Sequence, residues 1–591
     1  MSRRAFLNFQ KYAAVNSVPR NVAGRAAKKG SQVTRNTNLT QQQLASRFLQ
    51  QATFGPTLAE INYATSIGFE AWIDEQFTIP QTITSTYQDS QIGPELLNEP
   101  DLPLGGEDPF RWSWWQAVMR GPDLLRQRIQ FALSEIFVIS TRTEALEDVG
   151  RAVTAYHDML GRNAFGNFRT LLFDVSMSPA MGFYLSHAKN MRADPVLNRF
   201  PDENYAREVM QLFSIGLFEL NQDGTRRKDS NGNDIPTYDN NDIKEFAKIF
   251  TGLGYGEPIW YADEGIVSGS NDAFEIGVLE WFTASLPMQM YPQFHEPGPK
   301  QLLNGTIIPA GQDAMQDIND TIDHLFNHPN VGPFIGRLLI QRLVKSNPSP
   351  AYISRVTDAF DDNGSGVRGD MQAVIKAILL DDEARNTTWI NDSTHGMLRE
   401  PIIRYTQICR AMEVRNEQNE ERFWNSGRGA ADLLNQYPYL SPSVFNFFMP
   451  DYQPLGPLLT ADVDAPEFQI MTSVSTINLY NFFEQVIFSN QYMEVPEGID
   501  PEELAENPDE RWPAVSPVGA DFSQFAGMVG NINAVIDHFD LLLTYGALST
   551  EMRTIMQTNL TALWQQENDW EDVVKFALLL FMTNQEYSIL K

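Results

Sequence analysis

Apolar side chains recur along this chain at the 3.6-residue spacing of an α-helix far more often than at the alternation of a strand. Met371, Val374, Ile375, Ile378 and Leu379 fall at i, i+3, i+4, i+7 and i+8, behind an Asp370 placed to cap them. The pattern repeats over 41–77, 110–142, 144–162, 168–189, 313–412 and 529–590. Between Leu58 and Phe77 it is broken at Gly68, and Phe54-Gly55-Pro56-Thr57 marks a turn before it. A mainly α, multi-helix globular protein is therefore expected, more than half helical. Its strands should be small and confined to an irregular insertion around 218–312, where Asp223-Gly224 and Asn231-Gly232 are hairpin-type turns.

The 591 residues are enough for more than one core, and 42% apolar with 20% charged composition is that of a folded globular chain. The organisation read from composition is a basic tail over 1–38, a main helical domain over 39–494, an acidic Pro-rich linker at 495–518, and C-terminal helices over 519–591 that pack on the main domain. No apolar run approaches the roughly 20 residues of a membrane span. The single cysteine, Cys409, excludes an internal disulfide framework and Cys-rich metal sites.

Charge is unevenly divided. No acidic residue precedes Glu60, and eight of the 44 Lys and Arg lie within residues 1–36, leaving 36 basic against all 75 acidic residues in the body. Such a body repels phosphate backbones, which argues against nucleic-acid binding. The N-terminal Arg3-Arg4-Ala5-Phe6-Leu7 resembles a twin-arginine export motif, although the following stretch is short and polar. Periplasmic or secreted placement is expected. An organellar transit peptide, or a tail docking on the acidic body, also fits the composition.

Several segments together resemble the bacterial "domain of unknown function 1800" family. They are Ala45 to Thr57, Asn163 to Arg169 with Ser178-Pro179-Ala180-Met181, Glu203-Asn204-Tyr205-Ala206-Arg207-Glu208, Phe250-Thr251-Gly252, and Ser441 to Phe447. They occur in order over roughly residues 45–460. The resemblance implies a largely helical, exported protein, whose relatives frequently sit beside genes for a second exported family; it supplies no established activity. Where the family usually has His-Asp before a Gly and a Lys, this chain has His295-Glu296, then Gly298 and Lys300, and Asp202 stands where many members have Asn.

The residues in those segments supply the candidate site. On a helical wheel Tyr205, Ala206, Val209, Met210, Leu212 and Phe213 share one side, and Glu203, Asn204, Arg207, Glu208 and Gln211 form a polar stripe on the other. Glu203 and Arg207 are i,i+4 partners. The stripe is read as buried or as a cleft wall, in preference to an exposed face. His295, in a Pro- and Gly-rich loop, is the histidine placed to act as base or ligand. Asp361, Asn363, Ser365 and Gly366 fit part of a calcium loop, but Gln372 stands where a bidentate Glu belongs, so a turn is expected.

Two functions of different class follow. One is an exported helical scaffold or binding partner of another secreted protein, with oligomers allowed. The other is a hydrolase-like enzyme joining Glu203, Arg207 and Glu208 to His295, with a divalent metal as an option. No residue pattern names a cofactor.

Overall fold

The computed structural model describes residues 34–86, 108–142, 144–147, 149–257, 261–262, 264–279, 283–416, 427–492 and 518–591. The basic tail through residue 33, most of the 78–108 loop and the linker at 495–517 lie outside the described residues. Helices account for 56% of the structure.

Helix starts follow the local chemistry. Thr40 and Thr57 each close a capping box, with Gln43 and Glu60, on the helices Gln41–Ala52 and Leu58–Ile67. Gly68, at φ 86°, separates the second of these from Phe69–Thr78. Asp370 caps Met371–Leu380 through the Gln372 N–H, and the apolar stripe of that helix is fully buried. The 361–366 segment is the expected turn: Asp362 and Asn363 accept from the loop's own N–H groups.

One contiguous apolar core runs from Ala45 to Tyr587 in sequence. The C-terminal helices are built into it. Ile589–Leu590 pairs antiparallel with Met397–Leu398, and Arg47 donates to the carbonyls of Ala384 and Lys591. Arg35, assigned to the tail by composition, is buried; its N–H donates to the Asn391 side chain at 2.8 Å. Arg35 therefore packs with the folded body.

The strands are two residues long. Leu253–Gly254 with Gln289–Met290, and Lys300–Gln301 with Ile307–Ile308, lie in the expected insertion. The pairs Met397–Leu398 with Ile589–Leu590 and Arg415–Asn416 with Val518–Gly519 lie outside it, a correction to the expectation. Strands this short have no alternation to read; distant segments meet and exchange hydrogen bonds. Residues 217–237 form a small meander, bridged at Phe218–Pro236, Leu220–Arg226 and Lys228–Asp234. Gly224 and Gly232, at φ 76° and 85°, occupy the turns the sequence marks.

Candidate functional site

The helix Asn204–Gln211 buries Tyr205, Ala206, Val209 and Met210, as the wheel requires. Its polar residues divide. Glu203 and Arg207 form a 3.8 Å ion pair with side chains 40% and 39% exposed, so this part of the stripe is surface, contrary to the buried or cleft placement expected. Glu208 is buried instead, with Oε2 lacking a hydrogen-bond partner. Burial, opposed by Arg207, pushes its carboxyl up to about 7. Burial, and then the Glu208 charge, likewise push the Tyr184 and Tyr238 hydroxyls up to about 12.

His295 is held elsewhere in the core. Its Nδ1 lies 2.8 Å from the Thr251 carbonyl and its Nε2 3.0 Å from Asp317 Oδ2. Lys300 Nζ donates to the same Asp317 oxygen at 2.5 Å, and the Lys300 and Asp317 side chains are fully buried. The Glu296 N–H donates to Thr251 Oγ1. Gly252 adopts φ 83°, and a Cβ there would stand 2.9 Å from the His295 nitrogen. Phe250 meets the Tyr205 ring edge-on, and His187 stacks on that same Tyr205 ring at 3.8 Å. Thus Phe250-Thr251-Gly252 and His295 to Lys300 act as staples between the loop and the helix Ala314–Phe326. None of the hydrogen bonds or ion pairs of His295 involves Glu203, Arg207 or Glu208.

A different place concentrates unsatisfied chemistry. A pocket of about 210 Å³ opens between the meander, the end of the Asn204–Gln211 helix, the helix Val331–Leu343 and residues 444–451. Its walls are mainly apolar: Leu217, Phe218, Phe334, Leu338, Phe445 and Phe448. None of the four residues singled out from sequence lines it. Its floor is charged. Glu135, ending the helix Leu124–Ser134, faces Arg342, in the last turn of Val331–Leu343, with Nε 3.1 Å from Oε2. The Arg342 guanidinium lies 4.5 Å from the Phe448 ring centre.

Behind this pair are Glu400, at the start of the helix Pro401–Ala411, Glu467 and Arg128, all buried. The Gln436 amide donates to Glu400 Oε2 and approaches Glu135 Oε1 at 3.4 Å. Glu135 is raised well above the usual carboxylate range, by burial first and then by Glu400, with Arg342 opposing. Burial pushes Glu467 up to about 7. A second carboxyl this near disfavours the ionised form of Glu135, in the same direction as its burial. Among the described residues, no group of three or more His, Cys, Asp or Glu side chains is arranged to hold a metal ion.

Sequence reasoning missed this floor because its members lie on four distant segments. A signal exists in each: Glu135 follows Leu133 and precedes Ile136-Phe137-Val138-Ile139, and Arg342 ends Leu338-Leu339-Ile340-Gln341. A lone charge inside an apolar run is a charge that folding must bury.

The structure defines a mainly helical protein with tiny strand pairs and an apolar pocket floored by buried charge. The chain belongs to the family described as "Protein of unknown function (DUF1800)", which it matches over residues 47–589. That match takes in the C-terminal helices beyond residue 460. No curated protein and no solved structure matches the chain. Among the described residues no helix is long and apolar enough to cross a membrane.

Proposed function

We propose that this is an exported helical binding protein whose pocket grips an apolar segment of a second exported polypeptide. The observation that carries this reading is the pocket's open side. Leu217, Phe445 and Met449 stand on it 51%, 41% and 38% exposed, contiguous with the apolar walls inside. Large apolar side chains grouped at the mouth of an apolar pocket mark an interaction site, whereas isolated ones do not. Val444, Phe445 and Asn446, which line it, belong to the Ser441 to Phe447 run on which the family resemblance falls. The acidic body and the twin-arginine-like N-terminus support export.

The test is co-purification from the native culture with wild type and Phe445→Asp. The reading expects a stoichiometric protein partner with wild type and its loss with the variant at unchanged melting temperature. Equal recovery by both removes the pocket from the interaction.

A second reading rests on the carboxyl pair. Glu135, its carboxyl raised by burial and by Glu400, stands with that second carboxyl and Arg342, and paired carboxyls are the groups that general acid–base hydrolysis uses. A screen of chromogenic esters, glycosides and peptides decides it. Turnover by wild type that Glu135→Gln abolishes would select the enzyme.

A further inference from the structure

The pocket floor has unmet hydrogen-bonding capacity of both signs. Glu135 Oε2 and the Arg342 Nε and Nη1 are buried without a hydrogen-bond partner. The Glu135 and Arg342 side chains are only 2% and 3% exposed, and both line the pocket. Their charges are close, at 3.1 Å, but the N–H direction misses the oxygen. A buried donor or acceptor in this state is costly, because it has lost water and gained no partner. A ligand that supplies the missing partners recovers that cost.

The charges behind the floor restrict what such a ligand can be. Glu135, Glu400 and Glu467 are buried together with Arg128 and Arg342, so groups of both signs already stand at and behind the floor. A ligand carboxylate would lose its hydration and face three carboxyls. A ligand ammonium would face two guanidinium groups. Either would meet a like charge at the floor as well as losing its hydration. A neutral group that donates and accepts meets no such penalty. The protein uses that chemistry on the other side of Glu135, where the Gln436 amide approaches Glu135 and donates to Glu400.

Resting on the reading that this pocket grips a partner's segment, we infer that the group reaching the floor is a neutral primary amide, such as an Asn or Gln side chain, carried on an apolar body. Its oxygen accepts from Arg342 and its N–H donates to Glu135 Oε2. The apolar body lies against Phe334, Leu338 and Phe448.

Three probes with one phenyl body separate the possibilities: 3-phenylpropanamide, 3-phenylpropanoate and 3-phenylpropylammonium, each titrated onto the full chain by saturation-transfer NMR. The amide is expected to bind about tenfold or more tighter than either charged probe. Leu338→Trp, which fills the pocket, should abolish that binding; Leu217→Trp at the exposed rim should weaken it and serves if the first variant does not fold. Equal or tighter binding of a charged probe overturns the amide assignment and leaves the pocket reading standing. Binding of none of the three also overturns it, and the Phe445→Asp co-purification then judges the pocket separately. Amide binding that survives both Trp variants places the amide elsewhere and overturns the inference.

Discussion

Asp317→Ala should be among the most damaging single substitutions in this protein, and the structure says by how much. Asp317 Oδ2 receives Lys300 Nζ at 2.5 Å and faces His295 Nε2 at 3.0 Å, and neither Lys300 nor Asp317 exposes any side-chain surface. Removing the carboxylate leaves a buried ammonium with no counter-charge, a change that costs about 3–5 kcal/mol when one member of a buried pair is deleted. The same change frees the loop at 295–300 from the helix Ala314–Phe326. Removing both charges is different. Lys300→Met with Asp317→Leu takes away the pair and its desolvation cost together, so the double variant should recover most of the loss. Urea unfolding of the wild type, Asp317→Ala, Asp317→Leu, Lys300→Met and the double variant, read by midpoint and slope, completes the cycle. A loss below about 1 kcal/mol for Asp317→Ala, or a double variant as unstable as the sum of its parts, would refute the staple.

Other outcomes follow from the same geometry. Arg207→Ala should cost about 0–1 kcal/mol in a denaturant melt, because its pair with Glu203 is long and exposed; a loss of several kcal/mol would mean the helix face is covered in solution. Gly252→Ala should lower the melting temperature by several degrees, since φ 83° is strained for alanine and its Cβ meets the His295 nitrogen and the Tyr291 carbonyl at 2.9 Å; an unchanged melt would show that the 291–295 loop moves freely. Glu208 and Glu467 keep their protons in the fold up to about 7, against an ordinary 4.5. The native state therefore binds more protons than the unfolded chain between those values, and both groups make stability fall as pH rises from about 4.5 to about 7. Glu467→Gln should flatten that part of a stability–pH curve; an unchanged slope would show that Glu467 is ionised in the fold.

Much of the fold was legible because it is written locally. Thr40, Thr57 and Asp370 sit where helix caps belong, Gly68 breaks a helix where it stands, and Asp223-Gly224 and Asn231-Gly232 make the turns their types predict. The strand pairs at 397–398 with 589–590 and 415–416 with 518–519 were not legible, because each joins segments about a hundred residues or more apart through two residues a side. The candidate site failed for a related reason. Wheel geometry places Glu208 on the polar side of its helix, but the fold buries that edge. His295 stood out by residue type, and the sequence offered no way to see that Asp317 and Thr251 would occupy both of its nitrogens. The floor at Glu135 and Arg342 needed charges within apolar runs to be weighed as heavily as charges in loops.

The most direct test of the pocket is where a partner touches the chain. A photo-crosslinking amino acid placed at Phe445, at Leu217 and, as a control, at Arg207 would be irradiated in the native culture and the adducts mapped by mass spectrometry. The account predicts adducts from positions 445 and 217 to one apolar segment of one exported polypeptide, and none from position 207. Adducts from position 207 alone would contradict it and return the function to the exposed face of the Asn204–Gln211 helix.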